Sequence, residues 1–175
     1  AAMDRIWSSG RARKGRPVLV CPPSVKVTWD HEATLSGLPL GTHSHGSLSQ
    51  ASGTQQGLTV DALRRAQILA VDEAHNFLNL KSQRTRLLLG NMADHTVLLT
   101  ATPINRSVVD LLRLIDMLGA DNLEPSTLNT FETLLRRRRL DRSLTDAEVR
   151  ALRSEIQRFT LRRTKVMLNR LVDRQ

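Results

Sequence analysis

The chain has 175 residues, 40% hydrophobic and 3% aromatic with no tyrosine, and carries 26 Lys and Arg against 17 Asp and Glu. That length suffices for one ordinary domain whose core is packed mainly by Leu, Val and Ile, and the net charge of +9 points to a polyanionic partner. A single cysteine, Cys21, excludes an internal disulfide. No apolar run reaches membrane-spanning length and no signal-peptide pattern opens the chain, so a soluble, intracellular protein is expected.

Met3, Ile6 and Trp7 have the spacing of a helix end, and Ser8 to Arg16 reads as a basic loop. Pro17 to Cys21 is a first strand around Val18-Leu19-Val20, ended by Pro22-Pro23 because proline gives no ladder donor. Ser24 is a candidate cap for a helix in which Val25, Trp29 and Ala33 recur every four residues, with Trp29 as a core anchor. His31-Glu32 begins like a zinc-protease motif, but Leu35 stands where the second histidine is needed. From Gly37 to Gly57 the chain is polar, with a short strand near Leu40 to His45. No cysteine or carboxylate there completes a metal set with His43 and His45. Gly53 to Thr59 imitates a phosphate loop but is one residue short and carries leucine where the lysine belongs, so it reads as a flexible loop. Leu58 to Arg65 is a short helix.

Ile68 to Val71 and Thr96 to Leu99 are apolar runs, too short for helices and without alternation, and read as buried strands of a parallel sheet. Each delivers polar residues at its carboxyl end, where open α/β sheets bind ligands. Asp72 and Glu73 follow the first; Thr100, Ala101 and Thr102 follow the second. Adjacent carboxylates suit metal-nucleotide chemistry, one holding Mg²⁺ while the other orients or deprotonates water. Between them, Ser82 to Leu89 is a helix stopped near Gly90-Asn91. Past Pro103, Ser107 caps a helix with Val108, Leu111, Leu112, Ile115 and Leu118 as its stripe. Leu128 to Arg139 is a helix ending in four arginines, Thr145-Asp146-Ala147-Glu148 opens another, and Phe159 to Arg163 is a last strand.

Asp72-Glu73-Ala74-His75 and Thr100-Ala101-Thr102 resemble motifs II and III of superfamily 2 helicases. Pro22-Pro23-Ser24-Val25 with Trp29 and Glu32 resembles motif Ia, Thr42 to Leu48 falls where motif Ib belongs, and Phe159 to Lys165 resembles the Leu-Arg-Arg-x-Lys segment of the Snf2-like branch. The resemblance runs in family order along nearly the whole chain. It implies an α/β fold, a RecA-like three-layer parallel sheet with helices on both faces and a C-terminal helical protrusion. The implied divisions are a partial ATPase lobe over 1–125, a helical insertion over 126–158, and a strand and linker over 159–175 toward a second lobe.

The activity implied is DNA-dependent ATP hydrolysis driving movement on double-stranded DNA, with ATP and Mg²⁺ as cofactors. Asp72 would hold Mg²⁺ through water, Glu73 would polarise the attacking water, and His75 with Thr100, Ala101 and Thr102 would couple nucleotide state to DNA. Ser24, Thr42, Ser44, Arg162, Arg163 and Lys165 are the implied nucleic-acid contacts. The site would be nuclear in a eukaryote and cytoplasmic, at the nucleoid, in a prokaryote. The family's Gly-Lys-Thr loop is absent from these residues, so the chain reads as a first lobe without its front end. A non-enzymatic nucleic-acid-binding lobe and an RNA helicase of the same superfamily are the alternatives.

Overall fold

The computed structural model describes residues 15–50, 53–101 and 108–118, with scattered positions elsewhere. Four strands, β1 (Pro17–Cys21), β2 (Gly41–Ser44), β3 (Ile68–Val71) and β4 (His95–Leu98), make one sheet in the order β2-β1-β3-β4. Every pairing is parallel, in the register Val20↔His43, Val20↔Val71 and Val71↔Leu98. The carboxyl ends of β1, β3 and β4 therefore finish level. Both inner strands are buried along their whole length, the reason they are continuously apolar rather than alternating.

The helices are α1 (Lys26–Leu35), α2 (His45–Ser49), α3 (Thr54–Arg65), α4 (Gln83–Leu89) and α5 (Val108–Leu118). Strand residues divide between the two faces with the period of two. Val18, Val20, Leu69 and Val71 enter a cluster with Leu48, Leu63, Phe77, Leu88, Leu114 and Met117 from the helices and the turn after β3. Leu19, Cys21 and Ala70 point to the other face, where Val25, Trp29, Leu40 and Val97 pack on them. The result is three layers, the α/β architecture expected.

Three details differ from the sequence reading. Ser24 does not cap α1; it lies in a 3₁₀ turn, Pro23–Val25, and Val25 takes the cap position with no side-chain bond. Pro22 and Pro23 impose that turn by fixing φ, which delays the helix by one residue. Gly53 to Thr59 is not a loop, because α3 starts at Thr54. Its first turn is polar since it faces solvent, and the inward positions, Thr59 and Leu63, come four apart. In α5, Ile115 is buried as expected, but so are Asp110, Leu114 and Met117. The side chains of Val108, Leu111 and Leu112 lie outside the described residues.

The chain divides into two compact units, residues 1–123 and 124–175. In the second, the scattered described positions such as Asn129, Thr133 and Arg150 are helical. The arginine run at 136–139, the strand expected at 159–163 and the segment beyond it lie outside the described residues.

Candidate functional site

The register of the inner strands decides what stands at their mouth. Asp72 directly follows β3, and its N–H donates to the Val20 carbonyl at 2.9 Å, continuing the ladder by one residue. Its carboxylate is held from two sides. Oδ1 accepts the Glu73 N–H at 2.9 Å, and Oδ2 accepts the indole N–H of Trp29 at 2.9 Å. The Asp72 carbonyl in turn accepts from Nε2 of His45, at 3.0 Å. A carbonyl can only accept, so that ring nitrogen carries the proton. His45 is buried edge-on against Phe77, with ring centroids 4.8 Å apart, and burial lowers its pKa.

Glu73 has φ 49° and ψ 48°, the one non-glycine residue of positive φ among the described residues. For a residue with a Cβ this conformation costs about 1–2 kcal/mol. The neighbours enforce it: the Ala74 N–H donates to Leu99 at the end of β4, and the Asn76 N–H donates back to the Glu73 carbonyl, both at 2.9 Å. Ala74 is wholly buried under this turn. Glu73 Oε2 is buried and has no hydrogen-bond partner, although it lies 3.2 Å from Nδ1 of His75. That same Nδ1 lies 3.3 Å from the Thr100 hydroxyl. One nitrogen thus faces both a carboxylate oxygen, which can only accept, and a hydroxyl, which can accept or donate. Asp72, Glu73, His75 and Thr100 are brought to one corner by the ends of β3 and β4, and Ala101 follows, exposed.

At the other end of the same edge the polar groups are consumed by each other. The Thr42 hydroxyl donates to Asp30, which also accepts from Lys26 Nζ at 2.7 Å. The lysine, then Thr42, hold the Asp30 carboxyl below the usual carboxylate range. The Ser44 hydroxyl caps α2 by accepting the Ser47 N–H at 3.2 Å. His43 Nδ1 meets the buried Thr59 hydroxyl at 3.0 Å, and Thr59 lies 3.0 Å from both Ser47 Oγ and the Gln55 carbonyl. Of the nucleic-acid candidates, Ser24 is exposed, whereas the Thr42 and Ser44 hydroxyls already hold internal bonds. Thr102, Arg162, Arg163 and Lys165 lie outside the described residues.

The β3 corner carries two adjacent carboxylates, Asp72 and Glu73, the donor type that a divalent cation takes. Each Asp72 oxygen accepts one described hydrogen bond, and a carboxylate oxygen has capacity for more than one. The Glu73 oxygen left without a hydrogen bond supplies a second, adjacent anionic acceptor. Nearby, burial and then the charge of Asp72 push the Cys21 thiol up to about 11, so this cysteine is a protonated core residue at neutral pH. No group of three or more His, Cys, Asp or Glu poised around a metal occurs among the described residues. His43 and His45 are accordingly spent on Thr59 and the Asp72 backbone. No helix among the described residues is long and apolar enough to cross a membrane.

Sequence reasoning gave neither Trp29 nor His45 a bond to Asp72. Trp29 was read as a core anchor within the stretch resembling motif Ia, and a metal role for His45 was considered and set aside. The signal available was that a half-buried indole N–H needs an acceptor, but its identity, 43 residues away, is set by tertiary structure.

Comparison with known proteins identifies the family and the fold. The SNF2-related domain profile matches residues 54–174. Helicase swr1 of Schizosaccharomyces pombe is 42% identical over 52 residues, covering 30% of this chain and 4% of that protein. Helicase swr-1 of Neurospora crassa is 28% identical over 127 residues, covering 60% of this chain and 7% of its own length. Among solved structures, the Sulfolobus solfataricus SWI2/SNF2 ATPase core in complex with dsDNA is similar with a TM-score of 0.63 at 19% identity, over 90% of this chain and 36% of that one. That likeness establishes the RecA-like fold. The chain spans a small part of each protein that it matches.

Proposed function

The chain belongs to the SNF2-related domain family, and from that premise we propose that it serves as the first RecA-like lobe of an ATP-dependent translocase on double-stranded DNA. The observation that carries the reading is the β3 corner: Asp72 fixed by two N–H donors, beside Glu73 in a strained turn with a buried oxygen that lacks a hydrogen bond. Bound there with ATP, Mg²⁺ would neutralise charge that develops on the transferred phosphoryl group. Asp72 would hold the ion and Glu73 would orient the attacking water. His75, within reach of both Glu73 and Thr100, links the carboxylate to the end of β4, and Thr100, Ala101 and Thr102 transmit nucleotide state. The lysine and backbone cradle for the β- and γ-phosphates are assigned to other parts of the working protein, since no Gly-Lys-Thr occurs in these residues.

In this reading 1–125 is the ATPase lobe, 126–158 a helical insertion and 159–175 the passage to a second lobe. Ser24, Arg162, Arg163 and Lys165 contact the duplex backbone, with Thr42 and Ser44 shaping the rim. A duplex partner is supported by the DNA bound to the Sulfolobus protein, and a nuclear site by the fungal relatives.

The test is ATP hydrolysis by the full-length protein. Duplex DNA is expected to stimulate turnover, and the 175 residues alone are expected to be inactive with or without it. Turnover indifferent to duplex DNA, or stimulated by RNA instead, contradicts the proposal. Duplex binding should weaken steeply with salt and ignore sequence. Neutralising Arg162, Arg163 and Lys165 together should flatten the slope of log affinity against log salt by about 2–3.

A further inference from the structure

We infer that Trp29 is a positioning residue for Asp72, its indole N–H setting the orientation of the carboxylate that takes the nucleotide's metal; this rests on the translocase reading above. The indole donates to Oδ2 at 2.9 Å while the Glu73 N–H occupies Oδ1, so the two donors together fix the plane of the carboxylate. With either donor missing, the side chain regains rotation about its Cβ–Cγ bond, where the barrier is broad and low.

The donor is itself held on two sides. Its ring packs on the cluster of Leu19, Cys21 and Ala70. The next residue, Asp30, ties α1 to β2 by accepting from Thr42, and to its own first turn by accepting from Lys26. The indole is thus aimed at Oδ2 by packing and by a tether to a neighbouring strand, the arrangement through which outer residues orient metal ligands. The exposed surface of α1 is compatible with this role: within the helix only Ala33 is buried, so most of its length contributes little to the core.

The first measurement uses the 175-residue chain and needs no activity. Its two tryptophans, Trp7 and Trp29, give two indole N–H resonances in a ¹⁵N–¹H correlation spectrum, distinguished with Trp7→Phe. Asp72→Asn should shift the Trp29 resonance and leave that of Trp7 in place. An unmoved Trp29 resonance overturns the inference.

The second measurement uses the full-length protein. Trp29→Phe keeps a ring and removes the donor, and should raise the Mg²⁺ concentration for half-maximal ATP hydrolysis about 10- to 100-fold at an unchanged melting temperature. A purely structural role would lower the melting temperature and leave the Mg²⁺ dependence alone, and that outcome overturns the inference. If Asp72→Asn abolishes turnover while Trp29→Phe keeps the parent Mg²⁺ dependence, the positioning role fails and the translocase reading stands. If Asp72→Asn retains turnover, both fail.

Discussion

The two ends of one sheet edge are built on opposite terms. At the β2 end, Thr42, His43, Ser44, Ser47 and Thr59 form a closed set in which each described hydroxyl and the His43 ring nitrogen find partners inside the lobe. At the β3 end, Glu73 sits in a left-handed turn with a buried oxygen that lacks a hydrogen bond, and one His75 nitrogen lies near both that oxygen and the Thr100 hydroxyl. A protein selected for stability alone would have no reason to keep the second arrangement, because strain and buried unbonded oxygens both cost free energy. The difference separates a corner whose polar groups satisfy one another from the corner where we propose that the nucleotide's metal binds.

Substitutions should divide along the same line, and Thr59→Val tests the closed end. Valine matches threonine in shape, removes the buried hydroxyl and leaves the half-buried His43 Nδ1 and Ser47 Oγ without that partner. The expected loss is about 1–3 kcal/mol, read by chemical denaturation. A neutral result would mean that water replaces the hydroxyl and that the set is not closed.

pH sharpens the contrast next. Burial lowers the pKa of both His43 and His45, helped at His43 by the charge of Lys26. Below about pH 6.5 the unfolded chain binds protons at these rings while the native lobe resists, so stability is present above that pH and is lost as pH falls. Cys21 acts at the other limit. Its thiol is raised to about 11, so the native state keeps a proton that the unfolded chain begins to release near pH 9, and stability falls again as pH rises. Melting temperature against pH should therefore form a plateau between these limits. His43→Gln with His45→Gln should flatten its acid side, and Cys21→Ala its alkaline side.

The smallest effect is expected at the open end, with the opposite sign. Glu73→Gly removes the Cβ that makes φ 49° costly and should raise stability by about 1 kcal/mol. A loss of stability would show that the Glu73 side chain supports the turn rather than straining it.

What was legible in the sequence follows the range of the forces involved. Val18-Leu19-Val20 and Ile68 to Val71 could be read as buried strands because burial on both faces demands unbroken apolar residues. Asp72 and Glu73 could be read as strand-end acids because strand direction fixes which end meets a ligand. The start of α3 could not, since Thr54, Gln55 and Gln56 carry loop-like composition and turn helical through packing at Thr59 and Leu63. The Trp29–Asp72 bond was equally hidden: it joins residues 43 apart, and only the sheet register brings them together.

The central claim, that the β3 corner performs phosphoryl-transfer chemistry rather than structural support, is tested most directly by Glu73→Gln in the full-length protein, measuring duplex-stimulated ATP turnover and nucleotide affinity on the same sample. The amide keeps the size of the side chain and removes its charge and basicity. Turnover is predicted to fall by about 10²- to 10⁴-fold while affinity stays near that of the parent. Undiminished turnover, or turnover lost only in step with nucleotide binding, would contradict the account.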